Sequence, residues 1–257
     1  MGFVVNNGLV SIDHTIDDFG ITTSDRNPSS TITLCKQNKM NVFSIFKRYG
    51  YSGPGKPIGD NCPFIYGLKG KRNLYVNKDS IRALSITMKI IISKLYDSHN
   101  EFGKSYDLVI PMPSSHIIAK VLAKRITRKF QGSVLLEDVF RKSTSEDVRI
   151  QINNKNIPHA AKTDIFNAIT KAESENKTFS LSDVKTKNRI YIQPLSVVNS
   201  VNESKRILLV DDLFATGCTL ITAKDLLMKE NKESSIDALC LFSPLNGNIR
   251  KKMRYRK

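Results

Sequence analysis

No stretch of the 257 residues reaches the roughly 18 consecutive apolar positions that mark a membrane-spanning helix. The opening Met1-Gly2-Phe3-Val4-Val5-Asn6-Asn7 lacks the basic start and apolar run of a secretory signal, and Asn6 stands where an acylation motif needs Ser or Thr. The expected location is therefore the cytoplasm, with no membrane partner. Cysteine is sparse: Cys35, Cys62, Cys218 and Cys240 form no CxxC knuckle. His14, His99, His116 and His159 are as widely dispersed, so no protein-borne zinc cluster is expected. Acidic residues are also short, 24 against 40 Lys plus Arg, a formal charge of +16 that attracts polyanions. Part of the excess sits in Arg250-Lys251-Lys252-Met253-Arg254-Tyr255-Arg256-Lys257, and part in Lys120, Lys124 and Arg128 beside Arg125 and Lys129. These patches fit either a solvated helix face and a frayed tail, or surfaces that meet DNA or RNA.

With 40% hydrophobic residues, the chain can bury one substantial core. Residues 1 to 30 carry turn formers and little periodicity, which suits short strands or a packed arm. Tyr49 to Pro57 is a loop by its Gly and Pro content. Apolar positions 81, 84, 86, 88, 91, 92 and 95 predict a helix over 80–95. Tyr106 to Pro111 reads as a buried strand, Met112 to His116 as a turn, and Ile117, Ile118, Val121 and Leu122 as the buried arc of the next helix. Ser133 to Phe140 suits another strand. Residues 141–190 are polar, with a helix expected near 160–173. Ile207 to Val210, Thr219 to Met228 and Ile236 to Phe242 complete a strand, helix, strand alternation. Near-continuous apolar strands separated by helices predict an α/β fold around a mainly parallel sheet, with the ligand site beyond the carboxyl ends of the strands.

The densest signal is Arg206-Ile207-Leu208-Leu209-Val210-Asp211-Asp212-Leu213-Phe214-Ala215-Thr216-Gly217-Cys218-Thr219. An apolar strand delivers two carboxylates and then a small-residue turn opening a helix. Backbone amides in such a turn can point at a phosphate, Gly217 permits close approach, and Thr216 and Thr219 add hydroxyl donors. Carboxylates suit ribose hydroxyls, or magnesium that bridges to phosphate oxygens. The plain alternative is a strand end followed by an ordinary helix cap.

This segment resembles the signature of the type I phosphoribosyltransferases: an apolar strand, Asp-Asp, two variable positions, Ala/Thr-Thr-Gly, one variable residue and Thr. The resemblance implies that fold, with an amino-terminal arm over 1–59, a core over 60–249 carrying an insertion at 141–205, and a basic tail at 250–257. It implies that Asp211 and Asp212 engage the ribose of phosphoribosyl pyrophosphate, directly or through water and Mg2+, and that Ala215, Thr216, Gly217, Cys218 and Thr219 hold its 5-phosphate. Val109 to His116 resembles the pyrophosphate loop of competence-associated members. Met112, Ser114 and Ser115 are then its ligands, and His116 either assists or serves as a structural donor. Phe64-Ile65-Tyr66-Gly67-Leu68-Lys69 is similar to a segment of the same branch, in which Lys69 approaches pyrophosphate or stays solvated. Phe140-Arg141-Lys142-Ser143-Thr144 resembles the start of its flexible loop, while the branch's zinc ribbon is missing.

The implied chemistry is transfer of phosphoribosyl to a nitrogenous acceptor. Arg141, Lys142, Arg149 and Lys162, on a loop over 141–165, would close over departing pyrophosphate. No residue announces the acceptor; Phe242 to Gly247 is a plausible place for base recognition, or a simple edge loop. A rival reading keeps the site as a sensor of phosphoribosyl pyrophosphate or a nucleotide. Its basic surface then binds nucleic acid in a competence, retron or phage-defence setting, and residues 145–205 meet a protein partner. Oligomeric state is open, because no symmetric patch is legible.

Overall fold

The computed structural model describes residues 2–15, 29–33, 39–47, 62–98, 106–201, 205–214 and 217–243. The basic tail, the loop over 49–57, most of the acceptor segment, and Ala215 and Thr216 lie outside these residues. The chain divides into two compact units, Met1–Glu137 with Glu203–Gly217 and Glu233–Lys257, and Asp138–Asn202 with Cys218–Lys232.

The first unit opens with a hairpin, β1 (Gly2–Asn6) and β2 (Leu9–Asp13), in antiparallel register. Its sheet contains β3 (Ser29–Thr33), β4 (Lys39–Lys47), β5 (Leu108–Pro111), β6 (Val134–Leu135), β9 (Arg206–Leu213) and β10 (Ser235–Ser243). The order is β3-β4-β10-β9-β5-β6, parallel throughout except for the β3 edge. The mainly parallel α/β architecture expected from the apolar runs is therefore present. Ile207 to Val210 are wholly buried, as a central parallel strand requires.

The periodicity of two helices builds one side of the sheet. On α2 (Lys78–Ser98), Leu84, Met88, Ile91, Ile92 and Leu95 form the buried stripe, joined in one core with Leu122, Ala123 and Ile126 of α3 (Ile118–Lys129) and with Leu208 and Val210. Asn77 starts α2 by accepting from the Ser80 amide at 2.8 Å. Tyr96 stacks on Phe130 at 5.6 Å, tying the two helices together. α1 (Pro63–Leu68) packs on the hairpin through Phe3 and Phe64, 5.4 Å apart. At the other end of the strands Asp237 accepts from the Tyr106 hydroxyl at 2.5 Å and from the Asn41 amide at 3.2 Å. Burial, and then the Asp237 charge, push the Tyr106 hydroxyl well above its ordinary pKa.

Several expectations need correction. Ile81 and Ile86 on α2, Val121 on α3 and Ile117 just before α3 are exposed, because the stripes that meet the sheet pass through neighbouring positions. The strand expected over 133–140 is broken: only Val134–Leu135 pairs with β5, and Asp138 takes a left-handed φ of 61°. β4, with Met40, Val42, Ile45 and Phe46 buried, is a central parallel strand that the sequence reading did not place.

The second unit holds β7 (Phe140–Lys142) antiparallel to β8 (Leu195–Val197), with α4 (Ser145–Asn153), α5 (His159–Ser174) and α6 (Cys218–Glu230). The segment read as a loop over 141–165 is instead β7, α4 and the start of α5. Thr144 and Asp147 cap α4 reciprocally, and Val148, Ile152, Ile165, Ile169, Phe179 and Ile192 close a core of their own.

Gly67 marks a close approach in the first unit: a Cβ there would lie 2.9 Å from Val76 Cγ1 and 3.1 Å from the Tyr75 carbonyl carbon. Gly67→Ala is expected to destabilise the protein by about 1–3 kcal/mol, read as a lower thermal midpoint by circular dichroism.

Candidate active site

The sheet order creates a crevice before any side chain is considered. From β5 the chain proceeds to β6 on one side, and from β9 to β10 on the other. The connections therefore part between the carboxyl ends of β5 and β9, the place where open α/β sheets bind ligands. β5 stops with Pro111 opposite Val210, whereas β9 continues through Asp211, Asp212 and Leu213. Both acids thus lie within the last turn of strand, not after it.

Alternation along a strand sends the two carboxylates to opposite faces. Asp211 is half-buried and faces the register partner Cys240; its Oδ1 accepts from the Asp212 amide at 2.8 Å. Asp212 is buried, and Lys69 Nζ lies 2.6 Å from its Oδ2. The pair is a charge contact: Oδ2 accepts no well-directed hydrogen bond among the described residues. Lys69 is the residue that closes α1, its amide donating to Ile65 and Tyr66 carbonyls at 3.1 and 3.2 Å, so its backbone is fixed. The fold brings Lys69, expected at pyrophosphate or in solvent, to Asp212. Complete burial, then the charges of Asp211 and Asp212, raise the Cys240 thiol well above its ordinary pKa, so it stays a neutral packing group.

The loop leaving β5 lies alongside. Met112 is buried and its amide donates to the Val210 carbonyl at 2.8 Å, prolonging the pairing to the edge of the acid pair. Ser114 Oγ accepts from the His116 amide at 3.2 Å, which gives Ser114 a local turn role. Ser114 and His116 are half-buried and Ser115 is exposed. On the far side of Asp212, the Phe214 amide donates to the Phe242 carbonyl at 2.9 Å and directs the chain out of the sheet. Gly217 follows with a φ of 72°, a conformation glycine adopts freely. Cys218 and Thr219 open α6 in the second unit, and Ala215 and Thr216 lie outside the described residues.

Arg141 and Lys142 belong to β7 of the second unit. Arg141 is gripped by Asp147 through its two terminal guanidinium nitrogens, at 2.5 and 3.1 Å. That hydrogen bonding, with the Thr144 amide second, holds the Asp147 carboxyl well below the usual range. Arg149 pairs with Glu173 at 2.6 Å, and Arg149 and Lys162 both lie about the Phe166 ring, at 5.9 and 6.0 Å. In the first unit Lys120 and Lys124 share Glu137 at 3.3 and 3.0 Å, and these lysines depress its pKa. The basic stripe of α3 is therefore partly neutralised.

Among the described residues no group of three or more His, Cys, Asp or Glu side chains is placed to hold a metal ion. Asp211 and Asp212 diverge, and one of them is taken by Lys69, so the site is no carboxylate cage. That sparse set is compatible with magnesium, which keeps several waters and takes one or two carboxylates together with ligand phosphates.

The model of the phosphoribosyl transferase domain matches residues 77–257, well over half of the chain. The protein belongs to the phosphoribosyltransferase family. The match takes in the β5 loop, the acid pair and the second unit, but begins just before α2, so Lys69 and the hairpin precede it. Among solved structures the chain is similar to the crystal structure of purine phosphoribosyltransferase from Pyrococcus horikoshii Ot3, at 14% identity and a TM-score of 0.33, over 61% of this chain and 73% of that one. So loose a likeness gives no residue correspondence. No curated protein matches the chain. Among the described residues no helix is long and apolar enough to cross a membrane.

Lys69→Met would leave Asp212 buried without its cation, at an expected cost of about 3 kcal/mol in chemical denaturation. Adding Asp212→Asn should recover most of that loss, because the uncompensated charge goes with it.

Proposed function

We propose that this phosphoribosyltransferase-family protein binds 5-phosphoribosyl 1-pyrophosphate with magnesium and transfers the phosphoribosyl group to a nitrogenous acceptor. The observation that carries the reading is the position of Asp211 and Asp212, at the carboxyl end of β9 in the crevice where the sheet's connections diverge, beside the Met112 to His116 loop.

Asp211, half-exposed and able to accept from two hydroxyls, meets the ribose diol. The 5-phosphate goes to the segment 215–219, the one whose sequence resembles the family's phosphate-binding signature. Ser114, Ser115 and His116 face the pyrophosphate, and Lys69 offers it a cation once the ligand competes for Asp212. Magnesium, when bound, offsets the pyrophosphate charge. In the transfer the bond from the anomeric carbon to pyrophosphate oxygen breaks and the electron pair leaves with pyrophosphate. A nitrogen lone pair forms the new bond, and the acceptor's proton passes to solvent. Water must be kept out while the sugar carries cationic character.

Binding without turnover is a second reading, and one observation favours it: Arg141 and Arg149 are already engaged by Asp147 and Glu173. A sensor in a competence, retron or phage-defence setting would fit that arrangement and the +16 charge.

Calorimetric titration with phosphoribosyl pyrophosphate and magnesium tests the site. Binding is expected in the wild type and a loss of at least about tenfold in Asp211→Asn/Asp212→Asn, since hydrogen bonds to charged groups contribute about 1.5–3 kcal/mol each. Absence of binding by well-folded wild type would overturn the reading. Acceptor-dependent pyrophosphate release separates transfer from sensing.

A further inference from the structure

We propose that the turn following Lys69 is a docking surface for single-stranded nucleic acid, an inference that stands apart from the sugar-phosphate site. The Leu74 amide donates to the Lys71 carbonyl at 3.1 Å, closing a turn whose two central residues, Arg72 and Asn73, take φ values of 58° and 56°. Two successive left-handed residues make the turn type that favours Asn, Asp or Gly. Asparagine suits its place; a long arginine does not, and is held there against its own preference.

The hold comes from beneath. Tyr75 donates to the Gly8 carbonyl and Val10 to the Tyr75 carbonyl, each at 2.9 Å, and Lys71 donates to the Tyr66 carbonyl at 2.9 Å. Gly8 sits at φ 84°, and a Cβ there would come within 2.5 Å of the Asn73 carbonyl oxygen. The hairpin of β1 and β2 thus clamps the turn in one shape.

The turn presents cations and an exposed aromatic ring. Lys71, Arg72 and Lys78 are exposed, and none has an acidic partner among the described residues; the nearby Asp79 pairs with Arg82 at 3.4 Å. Lys120 and Lys124, by contrast, share Glu137. Tyr75 leaves 52% of its surface exposed, and the Arg72 guanidinium lies 4.6 Å over the Tyr66 ring. Exposed cations close in sequence to an exposed ring match a strand whose phosphates meet Lys71, Arg72 and Lys78 while an unstacked base lies on Tyr75. A duplex keeps its bases stacked inside and gives such a ring nothing to cover, so the chemistry selects single strands.

The test is fluorescence anisotropy of the full chain with a labelled oligothymidylate of about 12 nucleotides at about 0.1 M salt, against a duplex of the same length. Tyr75→Ala and Arg72→Asn are each expected to weaken single-strand binding about tenfold. Arg72→Asn should do so with an unchanged or raised thermal midpoint, because asparagine accepts the left-handed backbone. Wild type that does not bind, variants that bind as wild type does, or a duplex bound equally tightly would overturn the proposal.

Discussion

The charge contact between Lys69 and Asp212 sets the terms for everything else in the crevice. A central parallel strand, buried on its interior positions, ends in two adjacent acids that repel one another and lose water as the sheet packs. One of them points outward enough to remain half-exposed; the other is enclosed and would be an uncompensated charge without a cation beside it. Lys69 supplies that cation from the end of α1. The consequence is an asymmetric pair, Asp211 half-exposed and Asp212 enclosed and matched by Lys69.

That contact also gives the amino-terminal elements a task. The family match begins just before α2, yet β4 runs through the central sheet and α1 supplies the site's cation. The hairpin of β1 and β2 supports α1 through Phe3 on Phe64, and the turn beyond Lys69 through Gly8. A strained arginine and an unshielded tyrosine on that turn are then features of a framework built to hold them. The basic charge of the chain is unevenly available: the α3 stripe is partly spent on Glu137, while Lys71, Arg72 and Lys78 are not paired among the described residues.

The parts of the fold legible in the sequence are those in which burial leaves a one-dimensional trace. Ile207 to Val210, and Ile236 to Phe242 apart from Asp237, are apolar because both faces of these strands are buried, and the helices from Lys78 and His159 show their 3.6-residue stripes. The acid pair was legible because charge at the end of such a run has no packing rationale. β4 was not, since Asn41 and Ser44 interrupt its apolar positions and Lys39 and Lys47 bound it. The edges of the stripes misled as well: Ile86, Ile117 and Val121 are apolar but outside, which periodicity cannot distinguish from the buried neighbours. α4 has only Val148 and Ile152 buried, too few to show a pattern, and its capping box at Thr144 and Asp147 was the available local sign. The partner of Lys69 depends on how α1 docks against the end of β9, and no local pattern carries that.

Hydrogen exchange read by mass spectrometry, with and without phosphoribosyl pyrophosphate and magnesium, tests most directly whether the divergent strand ends form one binding crevice. The account predicts slowed exchange in both the 112–117 and the 211–219 segments on addition of the ligand, with the effect on 211–219 lost in Asp211→Asn/Asp212→Asn. Exchange unchanged in both segments at saturating ligand would contradict it.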